Sequence, residues 1–367
     1  MEEKERREKA MSEGPEPLPK VAILMTSYRN TEFLGQQIDS LREQDWRNVD
    51  LWISRDCDRG GPKRIIEDGA RRWRRARSGN ECYSVIAGPR RGASANFLSM
   101  VHNHRIQAHY YAYCDHDDIW HKNKLSRAVS MLEKIPQSIP ALYMSRVRFI
   151  GAKGKRMGIS GYCFFPPGFR NALRENIANG CTMVFNRAAR DIMQESGVHK
   201  ISWHDWWTYL LISAAGGKVI YDSRPYIDYR LHGDNLTGLS TALESYRSRF
   251  SRDAKEWRKW LEEKLSQYIP SLKERLKTKK EEKTIDETYK DDGIYHHDLY
   301  FRTLRNVKFL VAKRNLPVMD QYERFMRCQD RYDRAKALLR SGVYHQKPQD
   351  SIELLLLTLE WIDEKKP

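Results

Sequence analysis

Tyr110-Tyr111-Ala112-Tyr113-Cys114-Asp115-His116-Asp117-Asp118-Ile119-Trp120 runs from an apolar stretch straight into three acids. The aromatic-rich half predicts a buried strand over Tyr110 to Cys114, and the abrupt change of polarity marks where that strand leaves the sheet. The same grammar recurs towards the N-terminus. Lys20 to Ser27 predicts a strand that opens into the polar stretch Thr26-Ser27-Tyr28-Arg29-Asn30. Phe33, Leu34, Ile38 and Leu41 at helical spacing predict a helix, followed by a strand at Val49 to Ser54. A basic helix near Pro62 to Arg77, a strand at Tyr83 to Ala87 and a helix from Ala93 to Arg105 complete the alternation. Strand and helix in turn predict an α/β fold on a doubly wound, mainly parallel sheet flanked by helices. Ligands of such sheets sit beyond the carboxyl ends of the strands, which singles out Thr26 to Asn30, Arg55 to Asp58 and Asp115 to Asp118.

Crowded carboxylates repel one another unless a cation neutralises them. A hard divalent ion held by one or two carboxylates and by substrate phosphates answers that need, and Mg²⁺ or Mn²⁺ suits oxygen ligands better than zinc does. Asp118 has a second reading, as the cap of the helix that follows. An acidic turn without a metal is equally compatible with the three acids taken alone.

The neighbouring segments change the weighing. Asp115-His116-Asp117-Asp118-Ile119-Trp120 resembles the Asp-Gln-Asp-Asp-x-Trp signature of family 2 glycosyltransferases of GT-A fold, in particular their rhamnosyltransferase-like branch. Lys20 to Asn30 is similar to that family's first strand and Thr-Ser-Tyr turn, and Gly88 to Phe97 to its Gly-x-x-x-Asn-Phe segment. Asn179-Gly180-Cys181-Thr182-Met183-Val184-Phe185-Asn186 resembles its Gly-Cys-Thr-Met strand. His204-Asp205-Trp206-Trp207 and Tyr229-Arg230-Leu231-His232-Gly233-Asp234-Asn235 resemble its His-Asp-Trp and Tyr-Arg-x-His-x-x-Asn signatures. These segments fall in the expected order across about residues 20 to 236.

The resemblance implies a GT-A domain over 20–240, preceded by a charged, proline-ending arm at 1–19 and followed by a helical extension at 241–367. It implies an inverting, metal-dependent enzyme that moves a sugar, with rhamnose the suggested one, from a dTDP- or UDP-linked donor to a glycan or lipid-linked acceptor. The implied nucleotide-sugar contacts are Thr26, Ser27, Tyr28, Asp56, Gly92, Asn96 and Asp115. The implied holders of Mn²⁺ or Mg²⁺ are Asp117, Asp115 and His232. Trp120, Gly180, Trp203 and Trp206 are the implied acceptor contacts. For the base that takes the acceptor proton, Asp205 fits, because its aromatic neighbours would bury it and raise its pKa towards neutrality; capping its own helix is the plainer reading. The chain departs from the family at Ser54-Arg55-Asp56-Cys57-Asp58, where Arg55 replaces the first of the usual acids; Asp56 or Asp58 is then left to read the base.

Composition sets the limits. With 40% hydrophobic residues and ten tryptophans, the 367 residues are too rich in anchors for global disorder. No apolar run approaches the roughly 18 to 20 residues of a membrane span, and the first residues carry no signal-like apolar stretch, so a cytoplasmic protein is expected, with the inner membrane face as a candidate place of work. The net charge of +16 favours anionic partners such as nucleotides or phospholipid. A non-catalytic basic module on anionic membrane or nucleic acid is the competing reading, though nucleic acid is not the expected partner. Six scattered cysteines without a CxxC pair argue against zinc and disulfide frameworks. Towards the C-terminus, helices are predicted around Phe250, Trp257 and Trp260, at Leu299 to Asn315, Met319 to Leu339 and Ile352 to Ile362, with Lys273 to Lys283 as a charged run. Their aromatic and leucine stripes suggest membrane attachment, not chemistry.

Overall fold

The computed structural model describes residues 18–28, 32–56, 63–77, 82–232, 294–328, 330–346, 351 and 354. Strands β1 (Val21–Ser27), β2 (Val49–Arg55) and β4 (Tyr110–Cys114) are buried almost throughout, as expected of apolar runs covered on both faces. β1 pairs in parallel with β2 and β4, and β2 with β3 (Tyr83–Ala87). The connecting helices are α1 (Leu34–Arg42), α2 (Lys63–Ala76) and α3 (Ala93–Val101). α1 buries Leu34, Ile38 and Leu41, and the basic α2 buries Ile66 and Trp73 while its arginines face outward. The helix expected to reach Arg105 stops at Val101, because the Asn103 side chain accepts the Arg105 N–H at 3.0 Å and turns the chain.

Past β4 the sheet changes character. Among the described residues the sheet has nine strands, in the order β3-β2-β1-β4-β8 (Val184–Asn186)-β6 (Ala141–Gly151)-β9 (Lys218–Leu231)-β5 (Ile119–Trp120), with β7 (Arg156–Ile159) paired on β6. β8 is antiparallel to β4 and to β6; β6 is parallel to β9. β5 lies antiparallel on β9, and β7 folds back on β6. The parallel expectation therefore holds for the first half, and the whole is a mixed sheet flanked by helices. The strand expected across Asn179 to Asn186 begins only at Val184. Gly180–Thr182 form a 3₁₀ turn instead, in which the Thr182 N–H and hydroxyl both donate to the Asn179 carbonyl. Helices α4 (Lys124–Leu132), α5 (Phe169–Ala172), α6 (Arg187–Ser196) and α7 (His204–Ala214) cover this half.

The described C-terminal helices are α8 (Ile294–Asn306), α9 (Leu316–Arg327) and α10 (Arg331–Ser341). The helix expected over Leu299 to Asn315 ends at Asn306 and gives way to two 3₁₀ turns. The one expected over Met319 to Leu339 is two, because Asp330 caps a new helix by accepting the Asp333 N–H at 2.8 Å. Tyr300, Phe301, Leu304, Met319 and Tyr322 lie in one core with Trp206, Trp207 and Leu210 of α7. The stripes expected to meet a membrane here pack on the α/β domain. The Phe250, Trp257 and Trp260 helix, the 273–283 run, the boundary near 240, most of the N-terminal arm and nearly all of the last helix lie outside the described residues. Among the described residues no helix is long and apolar enough to cross a membrane, and Cys82, Cys114, Cys163, Cys181 and Cys328 are free thiols.

Candidate active site

The ends of β1, β2 and β4 and the start of α3 form one rim. Thr26 and Ser27 are buried at the end of β1 and Tyr28 is half-exposed. The Ser27 carbonyl accepts the Asp56 N–H at 2.9 Å, tying the two strand ends together. Asp56 Oδ1 in turn accepts the Arg90 N–H at 2.5 Å. A Cβ on Gly88 would lie 2.7 Å from that oxygen, so the close approach requires glycine. Gly92, at φ +88°, leads into α3. Asn96 is buried: its Oδ1 accepts the Ser54 hydroxyl at 2.5 Å and its Nδ2 donates to the Ser54 carbonyl at 3.2 Å, so the amide braces α3 against β2. Asp58 lies outside the described residues.

At the end of β4 the three acids occupy three environments. Asp118 is buried and caps no helix, since α4 starts only at Lys124. Its Oδ1 accepts the Arg230 N–H of β9 at 3.0 Å and the Cys181 thiol is a second hydrogen-bonding neighbour. Burial, with Asp117 and Asp115 beside it, holds its carboxyl well above the usual range. Burial pushes Asp117 up as well, but the hydrogen bond from His232 and the charges of His116 and His232 outweigh it and hold Asp117 low. His232 Nε2 lies 2.8 Å from Asp117 Oδ2. Asp115 is pushed up to about 8 by burial and by the charges of Asp117 and Asp205.

Arg230 keeps this loop in place. Its guanidinium donates to the carbonyls of Asp117 at 2.9 Å and Ala152 at 2.8 Å and to Gln36 Oε1 at 2.8 Å, and it lies over the Phe33 ring. Ligand atoms of Asp115, Asp118 and Cys181 fall within 4.8 Å of one another. The buried thiol stays protonated, its pKa pushed well up, and is a poor partner for a hard ion. The carboxylates are better donors, and Asp115 is the kind of acid that a divalent cation would keep ionised. The residues present therefore fit Mg²⁺ or Mn²⁺ through oxygen.

Asp205 lies in the first turn of α7. Its Oδ1 accepts the Trp206 N–H at 2.7 Å, its Oδ2 accepts the Gly180 N–H at 3.2 Å, and Asn176 adds a side-chain hydrogen bond. Burial outweighs these bonds and pushes the carboxyl up to about 6. A Cβ on Gly180 would lie 2.8 Å from His204 Nε2, so the 3₁₀ turn and α7 meet closely only because position 180 is glycine. His204 stacks on Phe97 at 4.1 Å, and burial pushes it down to about 3, leaving it neutral. Trp206 donates its indole N–H to the Ala172 carbonyl at 2.7 Å and packs at a tilt against the Tyr300 ring, centroids 4.6 Å apart. Trp120 is 2% exposed, with the Lys124 ammonium 3.3 Å from its ring centroid. Both tryptophans are core residues, whereas Trp203 is half-buried at the mouth of α7.

Arg230, Asn176, Ser94 and Tyr300 are site residues to which sequence reasoning gave no role. Arg230 had a usable signal: it belongs to the same Tyr229-Arg230-Leu231-His232 segment that the resemblance singled out. Tyr300 had none, being 97 residues from its partner.

Residues 22–191 match the family model described as glycosyl transferase family 2. This segment is a family 2 glycosyltransferase domain. The protein is accordingly a glycosyltransferase. It is 21% identical over 262 residues to the dTDP-rhamnosyl transferase RfbG of Shigella flexneri, covering 68% of this chain and 84% of that protein. An uncharacterised glycosyltransferase of Rickettsia typhi is 21% identical over 249 residues, covering 64% and 71%. Among solved structures, Staphylococcus aureus TarS in complex with UDP-GlcNAc aligns over 91% of this chain and 92% of its own, with 13% identity and a TM-score of 0.44.

Proposed function

We propose that the enzyme is an inverting, metal-dependent transferase that moves a sugar, rhamnose in the first instance, from a dTDP- or UDP-linked donor to a hydroxyl of a glycan or lipid-linked acceptor. The observation that carries this reading is Asp205, a carboxyl raised to about 6 that stands within electrostatic reach of Asp115 across the site. A carboxylate poised near neutrality is suited to take a proton from the acceptor hydroxyl. As that oxygen attacks the anomeric carbon from the face opposite the diphosphate, the carbon–phosphate-oxygen bond breaks and Asp205 receives the proton. One displacement, with no sugar–enzyme bond, inverts the anomeric centre.

Asp115 would hold the divalent ion, with Asp118 the carboxylate whose oxygen lies within 4.8 Å of it and Asp117, steadied by His232, as the neighbouring acid; the ion when bound would offset charge developing on the leaving diphosphate. Thr26, Ser27, Tyr28, Asp56 and Gly92 would line the nucleotide side, on the frame that Asn96 braces. Gly180 and Trp203 would border the acceptor. The likeness to a dTDP-rhamnosyl transferase supports the donor. Work at the cytoplasmic membrane face finds support in the loop after β7, where Tyr162, Phe164 and Phe165 are exposed with exposed Arg170 close by in the chain; such chemistry suits an anionic headgroup layer. Calorimetry of dTDP, UDP and GDP with and without Mn²⁺, followed by turnover of dTDP-rhamnose and UDP-glucose, tests the reading. Tighter binding of dTDP with Mn²⁺ and release of dTDP from dTDP-rhamnose are expected; equal binding in EDTA, or turnover of UDP-glucose alone, would refute the respective part.

A further inference from the structure

We infer that Ser94 and Tyr300 are positioning residues for transfer: two hydroxyls that clamp the backbone just ahead of Asp205 and fix where its carboxylate points. The inference rests on Asp205 being the base. The N-cap residue of α7 is Trp203, which has no side-chain oxygen with which to satisfy the first N–H groups of the helix. Partners come from elsewhere in the chain. The Tyr300 hydroxyl of α8 accepts the Trp203 N–H at 2.6 Å and donates to the Trp203 carbonyl at 3.0 Å. The Ser94 hydroxyl of α3 accepts the His204 N–H at 3.1 Å and donates to the Ser202 carbonyl at 2.7 Å. Two hydroxyls thus hold four consecutive backbone groups, and the next residue is Asp205.

Each hydroxyl donates and accepts at once, which only a neutral group can do. Burial holds the Tyr300 phenol well above its ordinary range, so it stays protonated. The two clamps come from opposite sides. Ser94 stands two residues after Gly92, in the segment assigned to the donor, whereas Tyr300 belongs to the C-terminal helices. The base is therefore aimed by the donor rim and by the last third of the chain together. Transfer is sensitive to such aim, since a misplacement of about 1 Å can cost about 100-fold in rate.

The test uses the full chain and the variants Tyr300→Phe, Ser94→Ala, Ser94→Thr and Asp205→Asn. Turnover is followed with dTDP-rhamnose or UDP-glucose, whichever the wild type uses, and an octyl glycoside acceptor. Amide hydrogen exchange is read on the peptide spanning Ser202 to Trp207, which needs no donor. Tyr300→Phe and Ser94→Ala should lower kcat about 5- to 50-fold with donor KM within about twofold of wild type. Both should speed exchange in that peptide, and Ser94→Thr, which keeps the hydroxyl, should restore kcat. Unchanged kcat and unchanged exchange, or a loss seen only as raised donor KM, would overturn the clamp. An Asp205→Asn enzyme with wild-type kcat would instead remove the base beneath it, whatever exchange shows.

Discussion

Asp117 and Asp205 are the same side chain and burial pushes both upward, yet their other surroundings drive them apart. Asp117 has His232 at 2.8 Å and histidine charge around it, and stays ionised. Asp205 has neutral amide donors from Trp206, Gly180 and Asn176, which do not offset burial, and it rises to about 6. Environment thus sets the two carboxylates apart, one held as an anion beside His232 and one raised to about 6; on the proposed reading the first serves the donor and the second takes the acceptor proton.

Exchanging the character of either carboxylate is the sharpest way to break that contrast. Asp205→Asn should reduce transfer about 10²–10⁴-fold while nucleotide affinity, read by calorimetry, stays near wild type; retained transfer would leave Asp205 a helix residue and no more. Asp117→Ala should act in the opposite sense, weakening nucleotide binding in Mn²⁺ about 10- to 100-fold and leaving the weak binding in EDTA unaltered. Equal losses in both conditions would argue against a metal role. The pH profile sharpens the comparison further. Because the Asp205 pKa is raised, from 3.8 to about 6, the group is protonated below that value, so kcat should climb with pH about tenfold per unit until about pH 6 and then level off. A profile that is flat from pH 4.5 to 7 would contradict this. The smallest effect should come from Gly180→Ala, which crowds His204 and should cost about 1–3 kcal/mol in denaturant unfolding; unchanged stability would mean the 3₁₀ turn can give way.

What the sequence could and could not reveal follows from the same physics. β1, β2, β3 and β4 were legible because each is a short apolar run bounded by polar turns, and the three acids were legible because a strand ended in them. The antiparallel half was not. β8 is three residues long, and the fourteen-residue β9 mixes charged residues and Pro225 into its length, so neither carries a clean period. The Met319 to Leu339 stripe read as one helix because apolar spacing continues across the break that Asp330 makes. Trp120 and Trp206 looked like sugar platforms by residue type; only packing reveals that Lys124 and Tyr300 cover them. The nucleotide and base residues came from motif order. The contacts that aim Asp205 span about a hundred residues each way and leave no local trace.

Arg230 bears on how such an enzyme can change over generations. Its guanidinium's partners at Asp117 and Ala152 are carbonyl oxygens of the main chain, which every amino acid possesses. Substitutions at the tip of the β6–β7 hairpin can thus alter charge and bulk beside the site without unmooring it. Gln36 and the Phe33 ring, by contrast, are met through their side chains. A lineage could accordingly alter the hairpin while the acid loop keeps its anchorage, with Gln36, Phe33 and Arg230 as positions that constrain one another.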